Sequence, residues 1–316
     1  MVPYVNAPDY RPAPPADFVL PCDLPRANFR GRLVRRETVS ARALEALALR
    51  EAAARLAAET CVLATLLGSA LKLSGRLTVQ TKSDGPLDLM TADYYGADAE
   101  RAAGARAFAR LDDARFASLG TPAPSFPALI GYGVVAITIE PERGGQTYQG
   151  IVPLARDGIA ATAEAYFAQS EQLPTALRLA AAPLFVPGDQ RPRWRAGGMM
   201  LQATPDARID VDDWERLSLF LATLEDFELV DVGLPAETLL WRLFHEDEIR
   251  VHPAEPIVFH CGCDRARIAS VLRAYPPGER EGLSDPDGII RAKCEFCGTV
   301  HEIGRGDLTV ELTPAD

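Results

Sequence analysis

The 316-residue sequence predicts an α+β protein: a core domain of β-hairpins packed on a long central helix, then a helical linker and a small C-terminal zinc-binding module. Three observations support this prediction. They are an apolar helical repeat before residue 75, hairpin patterns on either side of residue 140, and four cysteines in two close pairs near the C-terminus. Composition places the boundaries at 1–25 for a proline-rich tail, 26–204 for the core, 205–255 for an acidic amphipathic linker and 256–316 for the zinc module.

Composition and charge narrow the class of protein. With 47% hydrophobic and 24% charged residues, the chain resembles an ordinary soluble protein. A net charge of −11 argues against a nucleic-acid partner, which calls for a basic face. The longest nearly uncharged run, 60–71, is too short to cross a bilayer, so no membrane partner is expected. The N-terminus lacks the pattern of a secretory signal, and we expect a cytoplasmic protein whose six cysteines serve metal or redox chemistry rather than permanent disulfides.

The N-terminal segment 1–25 contains seven prolines and no clear periodicity. We therefore expect an extended or mobile tail. Cys22 has no neighbouring cysteine in sequence, and we interpret it as a bystander thiol rather than a redox participant.

The strongest helical pattern lies between Ser40 and Ser74, with a possible break, and Gly75 is its expected stop. Its apolar positions recur at helical spacing: Leu63, Leu66, Leu67, Ala70 and Leu71. Cys61 falls in this apolar stretch and is expected to pack in the core.

Hairpin signals follow the helix. Alternating residues on both sides of Asp84-Gly85 predict one β-hairpin, and the runs on both sides of 141–145 predict a second. Asp157 is expected to cap a short helix over 158–170. Two further strand-like runs, 177–186 and 194–203, complete the predicted core.

The predicted linker carries most of the excess acid. Between Asp206 and Glu255 there are fourteen Asp or Glu and four Arg, a net charge of −10. Large apolar residues at helical spacing within this segment predict amphipathic helices, notably Leu217, Leu221 and Leu224, then Leu240, Leu243 and Phe244. Because like charges repel, we expect the linker to be metastable and held in place by its neighbours.

The four clustered cysteines form a C-x-C pair and a C-x-x-C pair, Cys261 with Cys263 and Cys294 with Cys297. Two such pairs supply the four thiolates of a closed tetrahedral zinc site, which has no open position for catalysis and serves to fold the module around it. A module of about 60 residues with few large apolar side chains needs that contribution, roughly 10 to 16 kcal/mol in comparable zinc peptides. A disulfide framework and simple packing are the alternatives for these cysteines. Either His260 or His301 could also replace one cysteine as a ligand.

Three groups of residues make the chain resemble a known family. They are LLGSALKLSGRLTVQTKSDGPLDLM, the pair YQGIVPL and YFAQSEQLPT, and the two cysteine pairs followed by GTVHEIGRGDLTVEL. Together they extend from about Arg30 to Leu312 and are similar to the 33-kilodalton heat-shock protein family, the redox-regulated holdase chaperones of the bacterial cytosol. The proline-rich tail looks like an extension before the usual start of that family.

The resemblance implies a mechanism. The family's zinc ligands correspond to Cys261, Cys263, Cys294 and Cys297, and the reduced zinc-bound form is inactive as a chaperone. Oxidation joins Cys261 to Cys263 and Cys294 to Cys297, expels zinc, and unfolds the module together with the linker. The exposed apolar surface then binds unfolding client proteins without ATP, commonly as a homodimer.

Thiol chemistry agrees with that mechanism. Exposed thiolates oxidise to sulfenic acid and condense with a nearby thiol. Cys294 and Cys297 have the spacing of a disulfide of ordinary strain, whereas Cys261 and Cys263 would close a smaller and more strained ring. We therefore expect Cys294 and Cys297 to oxidise first.

Three other functions compete with this interpretation. A zinc ribbon that binds nucleic acid is disfavoured by the acidic charge. A zinc deaminase is suggested superficially by AKCEFC and by His301-Glu302, but Lys293 occupies the position of the proline in that signature. A thiol oxidoreductase would use Cys294 and Cys297, and turnover of a small disulfide would distinguish it from a holdase, which is not an enzyme.

Overall fold

A computed structural model describes residues 16–45, 47–142, 145–185, 187–189, 192–205 and 207–308. Most of the predicted tail and the last eight residues of the predicted zinc module lie outside these ranges. The strands are β1 (Phe18–Leu24), β2 (Phe29–Arg36), β3 (Gly75–Ser83), β4 (Leu87–Tyr95), β5 (Ala103–Leu111), β6 (Gly133–Pro141), β7 (Tyr148–Pro153), β8 (Thr175–Leu184), β9 (Arg193–Ala203), β10 (Arg250–Val251), β11 (Glu255–Phe259), β12 (Ile290–Lys293) and β13 (Val300–Ile303). The helices are α1 (Thr38–Glu45), α2 (Glu51–Ala70), α3 (Asp113–Ser118), α4 (Phe126–Ile130), α5 (Ile159–Tyr166), α6 (Val211–Ala222), α7 (Asp226–Val230), α8 (Ala236–Phe244), α9 (Arg265–Arg273), α10 (Pro277–Gly282) and α11 (Arg305–Leu308).

One large sheet organises the described chain. Its strand order is β7, β6, β3, β4, β5, β11, β1, β2, β9, β8, and β10 pairs with β1 beside this path. All neighbouring strands are antiparallel except β11 and β5, which are parallel. Strand β11 therefore joins two halves of the sheet that come from distant parts of the sequence.

Helix α2 is the centre of the core, as predicted. It packs against strands of both halves of the sheet, including β4, β5, β8 and β9. Most of its leucines and alanines are buried because nearly every side of the helix faces sheet. The helix is long and apolar enough to cross a membrane, but 83% of its most apolar window is buried inside the protein, which is the environment of a core helix.

The expected break in the helical pattern is confirmed, since α1 ends at Glu45 and α2 begins at Glu51. The predicted stop at Gly75 is wrong. The helix ends at Ala70, Lys72 adopts a left-handed φ of 48°, and Gly75 already begins β3.

Both predicted hairpins and the two later strands are confirmed as β3–β4, β6–β7 and β8–β9. The predicted cap of the next helix is wrong, because Gly158 rather than Asp157 occupies the N-cap of α5. The helix continues as a π-helical turn over Phe167–Glu171.

The prediction of a tail over 1–25 is wrong for its C-terminal part. Phe18–Leu24 forms β1, a central strand that pairs along its whole length with β2. Its even-numbered residues face one apolar cluster and Val19 faces the other, so the strand is buried on both sides. Pro21 fits because its carbonyl accepts the hydrogen bond from His252 N at 2.9 Å, and this bond needs no N–H from proline.

The linker segment forms α6, α7 and α8, which confirms the predicted amphipathic helices. They cover the face of the sheet opposite to α2. The linker residues buried in this contact are Leu217, Leu221, Leu224, Leu229, Leu239, Leu240 and Phe244, and those beneath them include Phe18, Leu20, Phe29, Leu33, Met199 and Leu201. The fit is close, since a Cβ on Gly197 of β9 would lie 2.4 Å from the carbonyl oxygen of Leu229.

The predicted boundary at residue 255 falls inside the large sheet, because β11 spans Glu255–Phe259. The module beyond it contains α9, α10, α11 and the β12–β13 hairpin. Its apolar cluster of buried residues is small and consists of Ala269, Leu272, Ile290 and Ile303. The division of the chain into core, linker and module as separate folding units stays a prediction.

Candidate metal centre and its contact with the core

Two tight turns present the four clustered cysteines. Cys261 and Cys263 lie between β11 and α9, whose N-terminus is capped by the Asp264 carboxylate accepting from Arg267 N at 2.7 Å. The other pair lies in the turn between β12 and β13. There Gly298 N donates to the Cys294 carbonyl at 2.8 Å, with Gly298 at a left-handed φ of 72° that favours glycine.

The four sulfurs form a compact cluster. Every Sγ lies within 4.8 Å of the others, with 3.6 Å between Cys261 and Cys294 and 3.4 Å between Cys263 and Cys297. A metal held at about 2.3 Å by four tetrahedral sulfurs has sulfur–sulfur edges of about 3.8 Å, so this donor set fits a metal ion such as zinc. The cysteines are half-buried, which leaves them within reach of small solutes.

The histidines occupy neighbouring positions. His301 Nε2 lies 3.4 Å from Cys263 Sγ, while His260 packs edge-on against Tyr95 with 4.5 Å between ring centroids. The metal-capable cluster found among the described residues consists of cysteines alone. Neither histidine is therefore needed to complete a tetrahedron.

The environment divides the thiols into two kinds. Burial raises the pKa of Cys261 and of Cys263. Burial acts in the same direction on Cys297, but its hydrogen bonds with the Thr299 hydroxyl and backbone, and with the neighbouring thiols, lower its pKa to about 6. Cys297 is thus the sulfur that the protein itself favours as a thiolate at neutral pH.

The two remaining cysteines lie elsewhere. Cys61 is buried in α2, as predicted, and burial raises its pKa. Cys22 is fully buried in β1 and burial raises its pKa to about 12. Both thiols are buried, and the raised pKa favours the protonated form of each. Cys22 lies in a strand rather than in the expected tail, and its role as a bystander thiol stays a prediction.

Arg106 of β5 connects the core to the metal centre, and sequence analysis missed it. Its Nε and Nη2 both lie 2.7 Å from Oδ2 of Asp93, and the two side chains are only 13% and 3% exposed. The same guanidinium lies 3.8 Å from Cys261 Sγ and stacks 3.8 Å from the Phe296 ring centroid. Arg106 therefore touches both cysteine turns at once. The alternating sequence of β5 does not predict such a contact.

The approach of the module also depends on Gly104, which lies two residues before Arg106 and therefore on the same face of β5. A Cβ at this position would lie 2.5 Å from Cβ of His260, well inside van der Waals contact. Glycine thus permits the chain entering the first cysteine turn to lie directly against β5.

The fold and the site define a class of protein: a sheet domain, wrapped around a central helix, that carries a small four-thiol metal module tethered through one of its strands. Comparison with known proteins then identifies the family. The model of the Hsp33 protein family matches residues 17–304. The chain belongs to the Hsp33 family.

Curated relatives agree. The chain is 35% identical over 292 residues to the 33 kDa chaperonin of Caulobacter vibrioides, covering 91% of this chain and 94% of that protein. It is 36% identical over 279 residues to the 33 kDa chaperonin of Edwardsiella ictaluri, covering 88% and 89%. The crystal structure of the 33 kDa chaperonin of Thermotoga maritima superposes with a TM-score of 0.73 at 20% identity, covering 92% of this chain and 96% of that one, which supports the fold.

The family match corrects one expectation from sequence. The tail over 1–25 was expected to precede the usual start of the family, and this is wrong for 17–25, because the match begins at residue 17, immediately before β1. Strand β1 is therefore part of the shared fold.

Proposed function

We propose that this Hsp33-family chaperone is a redox-regulated, ATP-independent holdase of the cytoplasm, inactive while reduced and zinc-bound. The observation that carries the proposal is the cluster of four half-exposed cysteine sulfurs, all within 4.8 Å of one another, on a module with a very small apolar core. Such a module depends on its metal to stay folded. The zinc ligands are Cys261, Cys263, Cys294 and Cys297.

The activating step is oxidation of the thiols. For each pair, peroxide takes two electrons from two thiolates and two protons from solvent, so that one S–S bond forms and the O–O bond breaks to give two waters. We assign the pairs as Cys261 with Cys263 and Cys294 with Cys297. Disulfide sulfurs no longer provide four thiolates, so oxidation releases the zinc and removes the main stabilisation of the module.

The order of oxidation follows from the thiols themselves. The lowered pKa of Cys297 favours its attack on peroxide, and Cys294 lies three residues away in the same turn. The shortest sulfur separations, however, join the two turns, at 3.6 and 3.4 Å. Disulfides within each turn thus require the cluster to rearrange, and mass mapping of a partly oxidised sample should show the Cys294–Cys297 bond first. A first bond between the two turns, or one joining Cys261 to Cys263, would contradict this order.

Loss of the module uncovers client-binding surface. Strands β10 and β11 connect the linker and the module to β1, so an unfolded module leaves α6, α7 and α8 without their C-terminal anchor. The linker helices then expose their own apolar face and the face of the sheet beneath them. We propose that unfolding proteins bind there, and that the oxidised chain acts as a homodimer with no nucleic-acid or membrane partner.

The test combines metal release with holdase activity. Peroxide is added to reduced, zinc-loaded protein at about 40 °C while a metallochromic dye reports zinc, and the same samples are tested for suppressing the aggregation of a chemically unfolded reporter protein. We expect one zinc per chain to leave as activity appears, and thiol reductant to reverse both. Zinc release without client holding would refute the holdase.

The variant Cys297→Ser provides a second test, because it breaks the ligand set without oxidant. We expect weaker zinc binding and faster proteolysis of the linker helices under reducing conditions. Unchanged proteolysis would refute the coupling between metal site and linker.

A second candidate function has one supporting observation, the lowered pKa of Cys297 within a C-x-x-C pair, which is typical of thiol oxidoreductases. Catalytic turnover of a small disulfide by Cys294 and Cys297 would favour that function. A holdase should show none.

A further inference from the structure

Strand β11 occupies an unusual place in the molecule. It lies between β1 and β5, pairing Phe18 with Pro256 on one side and Ala103 with Ile257 on the other. In the described sheet β1 and β5 are not paired with one another, so β11 is the strand that closes the gap between them. Only one residue separates its last position, Phe259, from the first metal-site cysteine, Cys261.

Few interactions of its own hold β11 in the gap. Its pairing covers two positions of β1 and three of β5. Ile257 is buried, but Val258 is 40% exposed, and both Glu255 and Pro256 are exposed. A strand this short stays in place chiefly because its ends are anchored, at one end by β10 and the linker and at the other by the metal module.

The gap has a definite chemistry. Its lining is small and apolar, and Ile257 lies in the same buried cluster as Val19, Ala43 and Ala105. Helix α1 packs across it, and the Arg42 guanidinium lies 5.1 Å from the centroid of the Phe259 ring. Its walls offer unpaired backbone groups once β11 leaves, among them the carbonyl of Asp17, which accepts from Ile257 N, and that of Ala105, which accepts from His260 N.

We propose that the gap between β1 and β5 is a strand-insertion site for client protein, vacated by β11 when the module unfolds. The occupant is an extended segment of an unfolding chain with branched aliphatic or aromatic residues at alternate positions, as Ile257 and Phe259 are in β11. Backbone pairing supplies binding that tolerates many sequences, while the alternate side chains fill the apolar lining. Strand β11 thus occupies, in the reduced protein, the position that a client segment takes after oxidation.

The proposal deepens the proposed function and rests on it, because oxidation must first release the module. It adds a distinct site, however. The surface under the linker helices is the face of the sheet, whereas this site is formed by two strand edges. Folded proteins seldom offer a free extended segment of this kind, so the site selects chains that have lost structure.

Hydrogen exchange on the full-length protein tests the proposal. The amides of 18–24 and 103–107 are followed in the reduced zinc-loaded protein, in the oxidised protein, and in the oxidised protein with excess chemically unfolded reporter. Strand β3 serves as the control, since β4 and β6 cover both of its edges. We expect exchange at β1 and β5 to rise about tenfold or more on oxidation and to fall again with the reporter, while β3 stays unchanged.

The outcomes separate the two hypotheses. If the oxidised protein holds the reporter while β1 and β5 stay protected throughout, or stay exposed when the reporter binds, the insertion site is refuted and the holdase stands. If protection returns without reporter as protein concentration rises, a second copy fills the gap and the client assignment is overturned. If no reporter is held, the holdase and this inference both fail.

A peptide provides an independent measurement. The capped hexapeptide with the sequence of residues 255–260 is added at about 1 mM, comparable to the effective concentration of a tethered strand. We expect it to protect β5 of the oxidised protein and to compete with the reporter, and the same peptide with Ile257→Asp and Phe259→Asp to do neither. Equal behaviour of the two peptides would refute strand insertion.

Discussion

Replacement of Arg106 by lysine should loosen the docking of the metal module while leaving the core folded. The guanidinium joins Asp93 of the core to Cys261 and to the Phe296 ring, each of the latter at 3.8 Å. Lysine keeps a positive charge beside the buried carboxylate but loses the planar stacking and the fork of hydrogen bonds. Complete removal of the charge would instead leave Asp93 buried and uncompensated, at a cost of about 3 to 5 kcal/mol, and would confuse the result.

The size of the effect follows from the contacts that lysine cannot make. A guanidinium stacked on a ring contributes about 0.5 to 2 kcal/mol, depending on how far it is desolvated. Arg106 is 13% exposed, which places it toward the upper part of that range. A loss of about 1 to 2 kcal/mol raises the population of undocked module about 5-fold to 30-fold. If oxidation proceeds through that undocked form, its rate rises by the same factor.

The assay is the initial rate of thiol loss and zinc release at limiting peroxide. Arg110→Lys is the matched control. Arg110 forms a bidentate pair with Asp88 on the same two strands, but it is 62% exposed and, among the described residues, has no hydrogen bond to a cysteine. We expect the control to stay within about 2-fold of the unmodified protein, as surface pairs contribute little. An unchanged oxidation rate in Arg106→Lys would refute the idea that this contact restrains the module.

Three other perturbations test neighbouring parts of the mechanism. Gly104→Ala should weaken the docking of the module by about 1 to 3 kcal/mol, because its Cβ would lie 2.5 Å from that of His260. Gly262→Ala is the control and should change little, since its Cβ would meet nothing closer than 3.7 Å. Proteolysis of the reduced proteins compares the two variants. Leu240→Ala, at a fully buried linker position, should lower the free energy of unfolding by about 2 to 5 kcal/mol and give some holdase activity without oxidant. Trp241→Ala, at a position 53% exposed, should do neither. Aggregation assays under reducing conditions compare the two variants. Chelation of the metal under reducing conditions should open the module to protease and leave the amides of α2 protected from hydrogen exchange. An equal loss of protection in the module and in α2 would contradict a module that unfolds by itself.

The sequence predicted those features whose signals are local. A C-x-C and a C-x-x-C each determine a turn within a few residues, so the sulfur cluster needs only that the two turns meet. The hairpin at Asp84-Gly85 and the buried face of the helix containing Leu217 and Leu221 likewise follow from residues close together in the sequence.

The features that were missed depend on distant partners. The sequence predicts a tail where the structure has β1, because Pro21 and the prolines before it obscure the apolar run that starts at Phe18. Strand β2 contains four arginines in eight residues and looks like a surface strand, yet it is central. Arg35 is tolerated there because it donates to the carbonyl oxygens of Leu234 and Glu228 in the linker, about 200 residues away in sequence.

Strand β1 also explains how one chemical event can affect the whole molecule. One of its faces lies under the linker helices through Phe18 and Leu20, and one of its edges is held by β10 and β11, which lead into the metal module. Unfolding of the module removes the partners of that edge, and the linker attached to β10 loses its anchor over that face. Because both events expose the same strand, each makes the other more favourable, and the transition should be cooperative rather than stepwise. Coincident exposure of β1 and of α8 in a time course of hydrogen exchange after peroxide addition would support this coupling, and clearly separate exposure would refute it.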